Sequence, residues 1–436
     1  MIHAGSYLVR MSKNSDGWLI GIIFLTPALF LVLKGAATTG LFLLFFICGG
    51  LILREPRKFF VGRGFQFWII VLCLLAPFLT ELIVQVGRGV FILPGLDGPS
   101  RTLLAAGVFV YLSKKNSTHI ISALSAGSAV GILLVFLYLQ IFPEHYWEHR
   151  AATSFVDPIT LPCYTLVLLG IFLFTGLPSQ LTRYDNVAKF SLAALTIYIS
   201  IESQSRSAWV AGIVLMESYI LIHFVKNWRA QILVTITFVV CVFVLFYAVD
   251  VVNSRTYEAV KSVSVFMGAG EPIDTPTGIR IQLAYLDLLL IKDNYLWGVS
   301  DGEIPSFENL KSAIPSLTGH VYDIKLLAGS HSEFLGQIVG KGVVFGALSL
   351  WGLICHPILF LLWKHRNFKF LGTIYGGAAL GLVLPVVVSS MFIQVFNLKM
   401  TISFYVMVLA IFYAHVFYMA QKLQHDPSKN RLNAVD

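Results

Sequence analysis

The sequence predicts an all-α, polytopic integral membrane protein of about twelve transmembrane helices, with one large external loop that itself contains helices. Three observations predict it. Of the 436 residues, 57% are apolar and 12% are charged, where a soluble chain has about 45–50% and about 25%. So few charges cannot cover a water-facing surface, which excludes a soluble enzyme, and so apolar a chain is not intrinsically disordered. Apolar runs near the roughly 20 residues that a spanning helix needs recur along the chain. Basic residues also alternate between dense and sparse turns.

The runs fall at 17–33, 36–53, 66–86, 94–112, 118–142, 159–177, 190–204, 207–225, 230–252, 334–363, 370–395 and 400–420. The first fifteen residues are polar and the first run continues as a full span, so no cleavable signal peptide is expected. The formal net charge is +8, from 31 Lys and Arg against 23 Asp and Glu. In a membrane protein such an excess marks the cytoplasmic side rather than a nucleic-acid surface. With the amino terminus inside, 18 of the 31 basic residues fall in cytoplasmic segments. Six of the other 13 lie in the loop 253–332, and long loops carry little orienting weight. Both termini are expected in the cytoplasm. The chain then divides into spans one to nine (1–252), the large loop (253–332), spans ten to twelve (333–421) and a tail (422–436).

Cys48, Cys73, Cys163, Cys241 and Cys355 all fall within apolar runs. Cysteine there acts as a small hydrophobe, and the spacings suggest neither metal ligands nor a disulfide framework.

Three places break the pattern. In the large loop, Thr275-Pro276 starts a helix on which Ile279, Leu283, Leu286 and Leu290 recur at helical spacing while Arg280 and Asp287 share another face. This helix is expected to lie on the membrane–water boundary or to cap the bundle. The seventh and eighth runs are joined by 203-SQSRSAW-209, whose turn carries Arg206 at or just below the outer boundary. The fourth run reaches spanning length only if it begins near Pro94, which draws Asp97 and Arg101 to the level of Arg88. Cations at one interfacial level suit an anionic headgroup and ordinary anchoring alike.

Histidine is the side chain best suited to proton transfer near neutral pH. His3, His119, His223, His356, His365 and His425 read as solvated or interfacial, His415 as a packed core residue, and His145, His149, His320 and His331 as external. His331 closes the long loop and opens the tenth run, a position that suits either a capping residue or a catalytic base. Metal chemistry has little support, since there is no His-Glu-x-x-His, cysteine pair or Asp-x-Asp. Gly268-Ala269-Gly270 lacks the Lys and Ser/Thr of a phosphate loop, so no nucleotide is expected.

The order of 203-SQSRSAW-209, 280-RIQLAYLDLLLIKDNYLWGVSDG-302 and 331-HSEFLGQIVGKGVVFG-346 resembles the O-antigen ligase and polymerase superfamily. His331-Ser332, nine residues and then Gly342 is similar to the ligase signature, and 150-RAATSFVDPITL-161 resembles the loop after the fifth span. One departure is Phe345, followed by Gly346, where the family often has a small residue or Tyr. The resemblance implies a GT-C-like glycosyltransferase in a bacterial inner membrane. Such an enzyme moves a glycan from an undecaprenyl-pyrophosphate donor onto a lipid A-core acceptor at the periplasmic face, with no metal, nucleotide or other cofactor and with membrane lipids around it. On this reading His331 activates the acceptor, Arg206 and Arg280 grip the donor pyrophosphate, and Arg101 and Arg88 support them. With no carboxylate nucleophile in evidence, a single inverting displacement is expected. Alternatives are an O-antigen or exopolysaccharide polymerase, a protein O-oligosaccharyltransferase, or, from another class, a secondary transporter using Glu81, Glu217 or His415. The single large external loop favours a ligase over a polymerase.

Overall fold

A computed structural model describes residues 2–115, 118–142, 145–147, 150–177, 183–224, 275–300, 303–314, 317–360, 377–396 and 398–425, with single positions at 229, 232–233, 235–236, 240 and 257. Most of the run 230–252, Cys241, loop residues 258–274 and tail residues 426–436 lie outside the described residues.

The first half of the chain folds as α1 (Ile2–Leu29), α2 (Ala36–Arg54), the short α3 (Pro56–Phe60), α4 (Phe65–Gly87), α5 (Leu93–Leu112) and α6 (Thr118–Ile141). A hairpin of β1 (His145–Trp147) and β2 (Arg150–Ala151) then leads to α7 (Thr160–Thr175), α8 (Asp185–Glu202) and α9 (Arg206–Phe224). The second half holds α10 (Pro276–Asp293), α11 (Phe307–Ala313), α12 (Gly319–Ala328), α13 (Glu333–Leu350), α14 (Gly377–Ser390) and α15 (Lys399–His425). Among the described residues, five helices are long and apolar enough to cross a membrane: Ala36–Arg54, Phe65–Gly87, His119–Ile141, Glu333–Phe360 and Lys399–Lys422. Asp16–Leu29, Thr160–Thr175 and Leu380–Ser390 are shorter apolar helices. This is the helix inventory of an all-α membrane protein.

Composition explains which helices lie at the centre. A helix that is apolar on every face must be enclosed by others. In α7 every residue from Thr160 to Phe174 is buried, and in α15 every residue from Thr401 to Ala414. Against α7 packs α14, so closely that a Cβ on Gly170 or Gly381 would strike the other's backbone. His415 is buried in α15, and Cys48, Cys73 and Cys163 are buried with free thiols.

Some elements differ from expectation. The first helix ends at Leu29, four residues before the predicted end, and the chain enters α2 through a left-handed Gly35 (φ 85°). The tenth run is one continuous stretch of apolar sequence but not one regular helix. It breaks at Gly342 (φ 77°, ψ 167°) and passes through a π-helical turn at Trp351–Cys355. Of the two surroundings expected for α10, the protein side is taken. Leu283, Leu286 and Leu290 are buried with Val299, Leu310, Ile314, Leu317, Val321 and Val339, in a small core separate from that of the bundle. The apolar stripe of α10 therefore packs on α11, α12 and α13.

The bundle has two ends of different character. At one, Arg63 donates to the Phe59 carbonyl and Ser113 Oγ (2.7 and 3.0 Å), and Lys115 pairs with Asp16 at 2.9 Å. At the other lie residues 88–93, strands β1 and β2, the 203–206 turn, residues 391–396 and helices α10–α12. That second end holds two polar cavities.

Candidate functional site

The smaller cavity is a cleft of about 70 Å³ lined by Arg150, Ile159, Gln204, Ser205, Arg206, Ser207 and Arg280. Its floor is the turn between α8 and α9. Ser203 Oγ bonds back to the Ser200 carbonyl at 2.9 Å, Trp209 Nε1 donates to the same carbonyl at 3.0 Å, and Ser205 and Ser207 share a hydroxyl contact of 3.1 Å. Gln204 stands in the left-handed region at φ 51°, a conformation that costs free energy in a residue with a side chain and is held only where its surroundings enforce it. Arg206 begins α9, and the cleft also meets Ile159 at the start of α7, where Asp157 Oδ1 caps the Ile159 and Thr160 amides at 2.8 and 2.9 Å.

Arg150 enters from the hairpin, its Nε donating to the Ser203 carbonyl at 2.9 Å. Arg280 enters from the first turns of α10, whose start is capped by Thr275 Oγ1 accepting from the Gly278 amide at 3.1 Å. Three guanidinium groups from distant segments thus line one cleft, and among the described residues no carboxylate lines it with them. Burial, then the charges of Arg206 and Arg150, lower the Arg280 pKa from its ordinary value. Like charges crowded away from water repel, and an anion between them relieves the repulsion.

His331 lies at the junction of the loop helices and the bundle, within electrostatic reach of Arg280. Its pKa is lowered by burial first, then by Arg280 and Lys325, so the imidazole is neutral near pH 7 and able to accept a proton. The chain around it is pinned on both sides. Before it, the buried Lys325 donates to Asp287 Oδ1 (2.6 Å) and Ser330 Oγ (2.8 Å), and Gly329 (φ 71°) turns the chain out of α12. After it, Ser332 Oγ donates to the Ser390 carbonyl at 3.2 Å and the Glu333 amide to the Ile393 carbonyl at 3.2 Å.

Of the residues singled out by sequence, Arg206 and Arg280 share the cleft and His331 is electrostatically coupled to Arg280. Arg88 and Arg101 are elsewhere. Arg88 donates to the carbonyls of Trp297 (2.5 Å) and Gly340 (2.6 Å), tying the end of α4 to the loop and to α13. Arg101 is buried in α5 and pairs with Asp97, which also pairs with Lys399 at 2.5 Å. Both guanidinium groups are thus engaged by the protein itself.

The larger cavity, about 700 Å³, lies between α4, α5, α13 and residues 391–396, and Arg88 lines it together with Glu81, Gln85, Glu333, Gln337, Lys341, Gln394 and Lys399. Arg150, Lys325 and Lys341 are not singled out by the sequence; Arg88 and Glu81 are, but nothing in the sequence gathers them into one cavity. Arg150 opens the segment 150–161 and was available as one of the 13 outward basic residues. Lys341 sits inside a run that reads as a membrane span, and no local signal separates a lining residue from a buried one there. Phe345, the departure from the family pattern, stacks on Trp297 with ring centroids 5.4 Å apart. Among the described residues, no group of three His, Cys, Asp or Glu side chains gathers as metal ligands would. No protein-family model and no curated protein matches the chain.

Proposed function

We propose that the chain is a lipid-linked-oligosaccharide-dependent glycosyltransferase, an O-antigen ligase of lipopolysaccharide biosynthesis. It transfers a glycan from undecaprenyl pyrophosphate to lipid A-core oligosaccharide at the periplasmic face of the inner membrane. In this reading the twelve apolar runs are twelve spans, both termini are cytoplasmic, and the cavity-bearing end faces the periplasm. One observation carries it: Arg150, Arg206 and Arg280 line a single cleft, and the Arg280 charge reaches His331, adding to the burial that lowers its pKa.

Arginine suits a pyrophosphate because its planar fork matches phosphate oxygens and never loses its charge. In transfer, the acceptor hydroxyl oxygen bonds to the anomeric carbon of the donor sugar, and the bond from that carbon to the pyrophosphate oxygen breaks. The hydroxyl proton passes to His331, and undecaprenyl pyrophosphate leaves with the electron pair. Negative charge grows on the leaving group as that bond lengthens, and preorganised cations in a water-poor cleft stabilise such charge most strongly. Attack opposite the leaving group inverts the anomeric centre. Nothing in this scheme calls for a nucleotide or a metal.

The test is transfer by purified protein with defined donor and acceptor. His331→Ala is expected to keep carrier-pyrophosphate binding and to lose about 10²–10⁴-fold in transfer rate, the usual contribution of a positioned base. Arg206→Ala is expected to lose pyrophosphate binding as well. Transfer at the wild-type rate by His331→Ala overturns the assignment of the base, and transfer only onto a second carrier-linked glycan makes the protein a polymerase.

A further inference from the structure

The larger cavity is a second built site, and its chemistry is the opposite of the cleft's. Around its wall runs one polar network. The Ile92 amide donates to Gln85 Oε1 (2.9 Å), Gln85 Nε2 to Glu81 Oε1 (3.0 Å), and Lys341 faces Glu81 Oε2 at 3.6 Å. Lys341 also reaches Ser349 Oγ (3.3 Å), which donates to Gln337 Oε1 (3.1 Å), while Gln337 Nε2 donates to Glu333 Oε1 (2.8 Å) and the Phe396 amide to Glu333 Oε2 (3.0 Å). Lys341 and Glu333 are both buried. Buried ionisable groups are costly in a membrane-spanning helix and mark functional cavities.

The break in α13 points the same way. At Gly342 the helix opens and segment 295–299 seats against it, the Val299 amide bonding to the Val339 carbonyl and the Val343 amide to the Tyr295 carbonyl (2.8 Å each). Irregular backbone at membrane depth is tolerated where it is buried in protein or lines a water-filled cavity. The lining cations Arg88, Lys341 and Lys399 are nearly balanced by Glu81 and Glu333, and Asp97 pairs with Lys399. The wall also presents the amides of Gln85, Gln337 and Gln394. Beside the cavity, Val90, Phe91, Ile92 and Leu93 form a run of exposed apolar side chains.

We infer that this cavity holds the uncharged, hydroxyl-rich sugar head of a membrane-anchored glycolipid, with its acyl chains along the 90–93 lip. Amides and balanced charges donate to and accept from hydroxyl groups without demanding a counter-ion, and a volume of this size lies within the range of small-molecule sites, about 300–1,000 Å³.

The test uses full-length protein in nanodiscs of zwitterionic lipid, with a diglucosyl diacylglycerol carrying a diazirine on its sugar as the probe. Adducts are expected on the peptides spanning 333–341 and 394–399, removed by excess unlabelled diglucosyl diacylglycerol. Gln337→Ala and Gln394→Ala should each weaken labelling roughly three- to tenfold, the worth of one neutral hydrogen bond. Gly98 and Gly340 line the cavity, and a Cβ on either meets nothing within 4 Å. Gly98→Leu and Gly340→Leu should therefore fill it, abolishing labelling while the carrier-pyrophosphate affinity is unchanged. Labelling at the Arg150, Arg206 or Arg280 peptides, labelling indifferent to both leucine variants, or stronger competition by phosphatidylglycerol than by the neutral glycolipid overturns the inference. If the wild type labels as expected but transfers no glycan, the cavity assignment stands and the transfer function falls.

Discussion

Two cavities at one end of the bundle differ tenfold in volume and also in charge. The cleft of about 70 Å³ is lined by three arginines; the cavity of about 700 Å³ sets cations against carboxylates and amides. Arg280, Arg206, Arg88 and Arg101 are the same residue type in similarly irregular stretches of sequence, yet they do different work. The protein supplies the partners of Arg88 and Arg101, two carbonyls in one case and Asp97 in the other. Arg280 instead lines a cleft with two further cations, and burial first, then their charges, lower its pKa. Arg88 and Arg101 brace the fold, whereas on the function proposed above the cleft arginines meet the charge of the carrier pyrophosphate.

Three perturbations probe that contrast. The largest effect is expected at the buried Lys325–Asp287 pair that holds His331 in place. Asp287→Ala should cost about 3–5 kcal/mol of stability in detergent, because the lysine is left buried without its partner; a change within measurement error would place the pair outside the support of the cleft. Next, Arg280→Ala should lower transfer about 10²–10³-fold, as removal of one charge-stabilising donor does. Arg88→Ala should instead cost about 1.5–3 kcal/mol of stability through its lost hydrogen bonds and leave carrier-pyrophosphate affinity unchanged. Equal losses of that affinity in the two variants would erase the distinction between the cavities.

The smallest effect is a shift in pH dependence. A base must be neutral to act, so transfer is lost as pH falls through the pKa of His331. That pKa lies below its ordinary value of about 6.5, which extends activity to lower pH. Removing a neighbouring cation lets it rise. The acid limb of the residual transfer by Arg280→Gln should therefore move to higher pH, and an unmoved limb would separate His331 from the cleft.

Parts of this arrangement were legible in the sequence for identifiable reasons. Arg206 lies in a polar turn between two apolar runs, and His331 marks the junction of loop and helix; both interrupt a hydropathy pattern. The apolar stripe of α10 was equally clear, but not what it packs against, because Leu283, Leu286 and Leu290 would look the same facing lipid or facing α11 and α12. Phe345 departs from a family pattern on paper, and its partner Trp297 lies 48 residues earlier, beyond any local reading. Lys341 was hidden by the apolar company of its own helix.

The sequence by itself determined the solvent of this protein and the positions of most of its helices. Hydropathy and charge are sums over neighbouring residues, and the bilayer acts on them locally. The tertiary structure alone decided which charges meet. Arg150, Arg206 and Arg280 lie up to 130 residues apart, and they line one cleft because a hairpin, a serine-rich turn and a capped helix are packed together by contacts that leave no periodic trace in the chain. The same packing breaks α13 at Gly342 and seats the loop against it, so a run that reads as one uniform span becomes the wall of a cavity.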